Sequence, residues 1–295
     1  MFTRSTTLII PTKDRYFFLE KQLLFIKKSK LFFKEIIVVD SSTKTKKKNK
    51  ILCKKFDTKF ISTYPSTSHQ RNIGLRNIKK TKYVMFLDDD IIFFKNSFKE
   101  MNYAINKYKN VTGFCFNIVK KNNNIFDNFK KIKLFSLLQI YSRKKGIIMP
   151  NGWHTQLYNL KRNKKVQWIY SGATVFKYQD IIGKYFLEDV NPYCYLEDLD
   201  YSYSLFKKKK ILMCIAKAKI LNSNISIRNT FNFGIIEIVN RYNFVKKNNL
   251  NISLFYISAF IKMVINFLIT FKFGFGMIKR AVGNFKGITS CVIKN

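Results

Sequence analysis

The chain has 295 residues, 47% of them hydrophobic, which is enough apolar material for a sizeable core and argues against wholesale disorder. Lys and Arg total 55 against 17 Asp and Glu, a formal charge of +38 that favours anionic partners: nucleotide diphosphates, nucleic acid or an acidic membrane face. The 5 cysteines are scattered singly with no C-x-x-C pair, which argues against a disulfide framework and a zinc site and fits a reducing compartment.

Near the N-terminus only a short apolar run precedes Lys13-Asp14-Arg15, without the long apolar core of a secretory signal, so the expected location is cytoplasmic. That run, Thr6 to Pro11, reads as a strand, and Tyr16 to Phe33 carries apolar residues at helical spacing. Glu35 to Asp40 is a second β-branched run, completing a strand–helix–strand unit whose unbroken apolar strands suit a parallel sheet covered on both faces. The rhythm continues with a Lys-rich helix over Lys47 to Lys55, a short strand at Phe60-Ile61, a helix over Gln70 to Lys79 and the strand Tyr83 to Leu87. The first 120 or so residues thus predict a doubly wound α/β layer.

Lys120 to Lys165 is rich in Asn and Lys, with a turn signal at Pro150 to Trp153, and reads as a variable insertion. A strand is expected at Val166 to Ile169, a loop at Ser171 to Thr174, a helix at Glu197 to Lys208 and a strand at Ile211 to Ile215. Ile252 to Phe271 is almost wholly apolar except for Ser258, Lys262, Asn266 and Thr270, which recur every fourth residue as one narrow stripe. Lys262 at mid-segment costs about 2.5–3.5 kcal/mol in a spanning helix, so an interfacial, membrane-surface helix is expected instead. The following KFGFGMIKRAVGNFKGI interleaves aromatics with Lys and Arg and suits anionic headgroups.

The chemistry is expected at two acidic clusters. Asp88-Asp89-Asp90 follows a buried strand, and strand ends are where open parallel sheets bind ligands; Asp40 ends another such strand. A hard divalent cation, Mg²⁺ or Mn²⁺, takes oxygen ligands of this kind and shares them with substrate phosphates. Alone, the triplet reads more readily as an acidic turn capping the next helix. Glu197-Asp198-Leu199-Asp200 opens a later helix, which suits the helix dipole, but it also follows the turn-like Asn191-Pro192-Tyr193-Cys194, from which a carboxylate can reach a cleft as a general base. Upstream of the triplet, Arg71 reads equally as a clamp on phosphate oxygens and as an ordinary surface residue, and His69 reads as a structural polar residue. No Gly-rich phosphate loop and no Ser–His–acid elbow is present.

As an ordered series, LIIPTKDR, EIIVVDSS, SHQRNIGL, YVMFLDDDI, SGATVF and YLEDLDYSYSLFKKKKI resemble the family 2 glycosyltransferases of GT-A fold, over roughly residues 6 to 215. The resemblance implies an α/β GT-A domain at residues 1–230, with a nucleotide-binding half at 1–120 and an acceptor and catalytic half at 121–230, followed by amphipathic helices at 231–295. It implies a mostly parallel sheet flanked by helices. By this likeness Pro11, Thr12 and Arg15 line the nucleotide site, Asp40 meets the base, Arg71 and Asp89 lie on the donor side, Asp88 faces the ribose, and Asp90 holds the metal. Asp198 is implied as the catalytic base of an inverting transfer from a UDP-, dTDP- or GDP-sugar to a hydroxyl acceptor. Trp153, Gly172 and Glu197 are expected on the acceptor side. Many members carry a metal-binding His after the strand that follows the E-D helix, where this chain has Asn222.

The C-terminal part resembles the tails of bacterial members that build surface polysaccharide on lipid carriers, implying a glycan or lipid-linked acceptor and a peripheral position on the inner face of the cell membrane. Two other classes compete. A nucleotidyltransferase usually opens with a Gly-rich loop where this chain has Thr12-Lys13-Asp14-Arg15. A basic nucleic-acid-binding protein gathers its bases on one face, whereas here Lys is spread throughout and the acids cluster, so no nucleic acid is expected.

Overall fold

The computed structural model describes residues 1–120, 141–188, 195–222 and 228–293. The expected turn at 191–194 and residues 121–140 of the expected insertion lie outside them. The chain divides into two units, residues 1–121 with 157–224, and residues 122–156 with 225–295.

The first unit is organised around β1 (Thr6–Thr12), whose residues are all buried. A strand apolar on both faces needs cover on both faces and a neighbour on each side. Its neighbours are β2 (Glu35–Asp40) and β4 (Tyr83–Leu87), both parallel to it, with β3 (Lys59–Ser62) parallel to β2 beyond. The connections are α1 (Tyr16–Lys28), α2 (Lys46–Lys55) and α3 (Thr67–Arg76), one helix per crossover. Register aligns Thr12 with Asp40 and Asp40 with Ser62, so these strands deliver their carboxyl ends to one edge.

Beyond β4 the strands change direction. β6 (Val111–Ile118), reached through β5 (Ile91–Phe93) and α4 (Ser97–Lys107), is antiparallel to β8 (Ala173–Lys177), and β8 is itself antiparallel to β4. β9 (Ile211–Asn222) runs parallel to β6 and antiparallel to both β5 and β7 (Lys164–Val166). The resulting order is β3-β2-β1-β4-β8-β6-β9-β5, with β7 on β9. On α4, Phe98, Met101 and Ile105 follow the helical repeat into a core shared with Phe2, Phe93 and Phe116.

Several expected boundaries move, each for a local reason. The first helix stops at Lys28 because Lys30 adopts a left-handed φ of 50°, and the Lys30 and Leu31 N–H groups bond back to Lys27 O and Ile26 O. Ala173 and Thr174, expected in a loop, belong to β8, where hydrogen-bonded neighbours on both sides outweigh weak local propensity. Of the strand expected at Val166 to Ile169 only Val166 lies in a strand; Trp168 and Ile169 are buried as anchors, with Ile169 N–H on Ser202 Oγ at 3.2 Å. The strand expected to end at Ile215 runs to Asn222, carried on by pairing with β6 and then β5.

The second unit is helical: α6 (Phe231–Lys247), α7 (Ile252–Leu268) and α8 (Gly276–Ile293), α5 being Glu197–Lys207 of the first unit. Its apolar core holds Ile238, Tyr242, Phe255 and Ala259, with Trp153 stacked on Phe255. Charged groups are also inside. Glu237 is buried and receives Arg280 Nε and Nη2 at 2.8–3.0 Å, and Arg241 is buried, donating to Gly152 O at 2.6 Å over the ring of Trp153. The backbones of α6 and α8 meet at Gly234 and Gly283, where a β-carbon on either residue would run into the other helix's main chain.

Breaking a buried pair costs more than replacing it with apolar residues. Arg280→Met should therefore lower stability by about 3 kcal/mol and Glu237→Leu with Arg280→Met by much less, as read from thermal unfolding of the full chain.

Candidate donor and catalytic site

The site grows from the common edge of β1, β2 and β4. Asp40, the last residue of β2, is fully buried; its Oδ1 accepts from the Ser42 N–H at 2.9 Å and from the Ser42 hydroxyl, while its Oδ2 is buried without a hydrogen-bond partner. A buried carboxylate oxygen without a donor is an acceptor waiting for one. Gln70, at the start of α3, bridges the ends of β1 and β2 by donating from Nε2 to Thr12 O at 2.8 Å and Val39 O at 2.7 Å.

β4 delivers the aspartate triplet, and the three members have different surroundings. Asp89 is turned inward, accepting from Thr12 Oγ1 at 2.6 Å and Arg15 at 2.9 Å, and burial pushes its pKa up to about 6 against those two donors. Asp90 shares the same Arg15 nitrogen at 3.1 Å, and its carboxyl is raised by burial and by the charge of Asp88, with Arg15 opposing. Asp88 is the most open, its side chain 33% exposed. The Asp88 N–H donates to Gly172 O at 2.8 Å, and a β-carbon on Gly172 would sit 2.5 Å from Asp88 Oδ2. Only glycine lets the β8 turn approach that carboxylate so closely.

Arg71 joins the two acidic clusters. Its side chain is 4% exposed and lies over the Phe186 ring, donating to Asp88 at 2.9 Å and to Glu197 at 3.1 Å. Residues 126 apart in sequence are thereby held at one place. Glu197 opens α5 after Leu196, a buried non-glycine residue at a left-handed φ of 78°, which is a strained entry into the E-D pair. Burial first and the charge of Asp198 second push the Glu197 pKa up to about 7, with Arg71 opposing. Asp198 Oδ1 accepts from the Leu199 N–H at 2.8 Å in the same first turn.

Pro11, Thr12, Arg15, Asp40, Arg71, Asp88, Asp89, Asp90, Gly172, Glu197 and Asp198 all belong to the first unit, and the contacts above tie most of them into one network. Trp153 belongs to the second unit, where it packs between Arg241 and Phe255. Asn222 pairs with Ile91 in the β9–β5 ladder, so its backbone lies opposite the residue after Asp90. Sequence reasoning missed Gln70 and a clasp around Glu188, whose carboxylate receives Asn72 at 2.7 Å and meets His69 Nδ1 at 2.8 Å; His69 in turn stacks on Tyr64. Glu188 carries no motif, and its partners are more than a hundred residues away in sequence.

Among the described residues no three His, Cys, Asp or Glu side chains converge as a complete metal cage. The protein's own oxygens suit a cation that arrives with its other ligands, as Mg²⁺ or Mn²⁺ does with substrate phosphates: Asp88 and Asp90 are close enough for the charge of one to raise the pKa of the other, and a cation would relieve that.

Carboxylates and guanidinium groups gathered at the carboxyl ends of parallel strands mark an α/β enzyme that binds its ligand at that edge. The profile of Glycosyl transferase family 2 matches residues 7–171, more than half of the chain. The chain belongs to that family. Among solved structures, GalNAc-T7 crystallised with UDP, GalNAc and Mn²⁺ aligns with a TM-score of 0.54 at 12% identity over 74% of this chain and 43% of that one. TarS of S. aureus aligns with a TM-score of 0.52 at 12% identity over 92% of this chain and 44% of that one. These likenesses show the GT-A fold expected from the sequence. The chain spans less than half the length of either protein. No curated protein sequence matches it.

Gly172→Ala should displace Asp88 and lower kcat/KM by about 10²-fold, with little change in thermal unfolding, because a small misplacement at a reacting centre is costly. Unchanged kcat/KM would show that the close approach to Asp88 has no bearing on turnover.

Proposed function

We propose that the chain is an inverting glycosyltransferase that passes a sugar from a nucleoside-diphosphate donor to a hydroxyl acceptor, with Asp198 as base. The observation that carries this reading is Arg71, buried and bonded to both Asp88 and Glu197, which puts the triplet and the E-D pair at one strand edge. Asp40 Oδ2 accepts a base N–H, Pro11 and Thr12 line the nucleotide, and Asp88 turns its open carboxylate to the ribose. Arg15 and Arg71 offset the charge of the diphosphate. Asp89 supports the donor side indirectly, as its carboxylate is taken up by Thr12 and Arg15.

Asp90 is the protein ligand for Mg²⁺ or Mn²⁺, and the side-chain oxygen of Asn222 is a second candidate in place of an imidazole. A bound cation supplies charge neutralisation to the departing diphosphate. In the transfer, Asp198 takes the acceptor hydroxyl's proton as that oxygen bonds to the anomeric carbon, and the bond from that carbon to the diphosphate oxygen breaks on the opposite face. The glycan or lipid-linked acceptor, a role in surface polysaccharide synthesis, and a peripheral position on the inner membrane face are part of the same proposal, favoured by the basic C-terminal helices. Gly172 and Glu197 belong to it as acceptor-side residues.

Asp198→Asn should lower transfer by about 10³-fold while keeping donor affinity, measured by product formation and by donor-induced thermal shift. Asp90→Ala should weaken donor binding by about tenfold with Mn²⁺ present and leave it unchanged in chelator. Transfer at the wild-type rate by Asp198→Asn would sink the base assignment.

The pH profile offers a separate check. The Glu197–Asp198 pair keeps a proton up to about pH 7, because burial and the charge of Asp198 push the Glu197 carboxyl up to about 7 against Arg71. Transfer should therefore rise with pH through that range as the pair loses its last proton. Glu197→Gln removes one of the two charges and should move the rising limb to lower pH.

A further inference from the structure

The second unit buries polar groups beside its apolar core and leaves large apolar side chains outside. In a helical unit made for water the apolar stripe faces inward and the polar stripe outward. Here Ser258 and Asn266 of α7 are buried, and Asn266 donates to Asn284 of α8 at 2.6 Å. Asn284 donates in turn to Gly234 O at 2.9 Å, and Arg280 reaches Glu237 of α6. The stripe that recurs every fourth residue is therefore an internal seam. The outer face is apolar at helical spacing: Ile257, Phe260, Val264 and Phe267 on α7, Phe271 at 95% and Phe275 at 80% exposure in the connection, and Val282, Phe285 and Val292 on α8. Polar groups as internal glue, close glycine contacts and an apolar exterior are the packing rules of helices in lipid.

The occupant of that face is constrained by charge and length. Exposed Lys272, Lys279 and Lys286 border the apolar ridge, and beyond Glu237 the chain contains Lys and Arg but no Asp or Glu. A second copy would bring like charge against like charge, whereas anionic lipid supplies the counter-charge. At 1.5 Å per residue the 17 residues of α7 reach about 26 Å, short of a hydrocarbon core of about 30 Å, and no described helix is long and apolar enough to cross a membrane.

We propose that α7, α8 and their connection lie in the boundary layer of an anionic bilayer, with Phe267, Phe271 and Phe275 in the acyl region, Lys272, Lys279 and Lys286 on lipid phosphates, and the Asn266–Asn284 seam shielded within the unit. This deepens the membrane-surface part of the function proposed above and rests on it, but it is independent of the assignment of Asp198.

The test uses the full chain with vesicles of phosphatidylcholine, with and without phosphatidylglycerol. Expected are co-sedimentation with the anionic vesicles and a blue shift of Phe271→Trp emission on binding, quenched by brominated acyl chains. The triple change Phe267→Ser, Phe271→Ser and Phe275→Ser should weaken vesicle binding by about 100-fold while leaving the donor-induced thermal shift unchanged, since all three side chains start in solvent. Anionic-vesicle binding that is absent, or equally strong in the triple variant, would overturn the proposal. So would a dimer in which the Phe271→Trp emission is already shifted without lipid, since a second copy would then cover the face. Vesicle binding that survives in a chain found unable to turn over any nucleotide sugar supports the membrane surface and counts against the catalytic assignment alone.

Discussion

The structure of the site depends on one buried guanidinium. Arg71 is out of solvent, and burying a charge costs several kcal/mol unless partners offset it. Asp88 and Glu197 are those partners, and Glu197 is itself a carboxyl that burial and the charge of Asp198 push up, with Arg71 opposing. Through these two contacts Arg71 fixes the end of β4 against the start of α5. Removing Arg71 would leave two acidic clusters facing each other without compensation, so the same contact supports the fold and the chemistry.

How much of this was legible beforehand follows from where each signal resides. β1, β2 and β4 could be read because a centre strand buried on both faces is an unbroken apolar run, and TTLIIP, EIIVVD and YVMFL have no other good solution. The carboxylates at their ends were legible for the same reason. β8 was hidden, because Ala173 and Thr174 are strand only by virtue of neighbours at β4 and β6. The limits of the first helix depended on a single left-handed residue, Lys30, that composition does not announce. Gln70 and Glu188 act on backbone and side chains far away in sequence, so no local pattern could mark them.

The second unit shows how a pattern can be read correctly and still leave its direction open. The every-fourth-residue polar stripe was plain, but periodicity gives a face and not the side on which the solvent lies. Asn284 and Asn151 decide that: they bond Asn266 and Ser258 of the stripe inside the unit, and phenylalanines are left outside. The two units thus obey opposite rules. In the first, apolar strands are hidden and charges gather at one edge; in the second, Glu237 and Arg241 are hidden while phenylalanines are presented beside exposed lysines.

The central claim is that Asp198 activates an acceptor on the face opposite the departing diphosphate. The most direct measurement is the configuration at the anomeric carbon of the first-formed product, by proton NMR, with water as acceptor and a panel of nucleotide sugars in Mn²⁺. The expected product is the anomer opposite to that of the donor. First-formed product that retains the donor's configuration would contradict it.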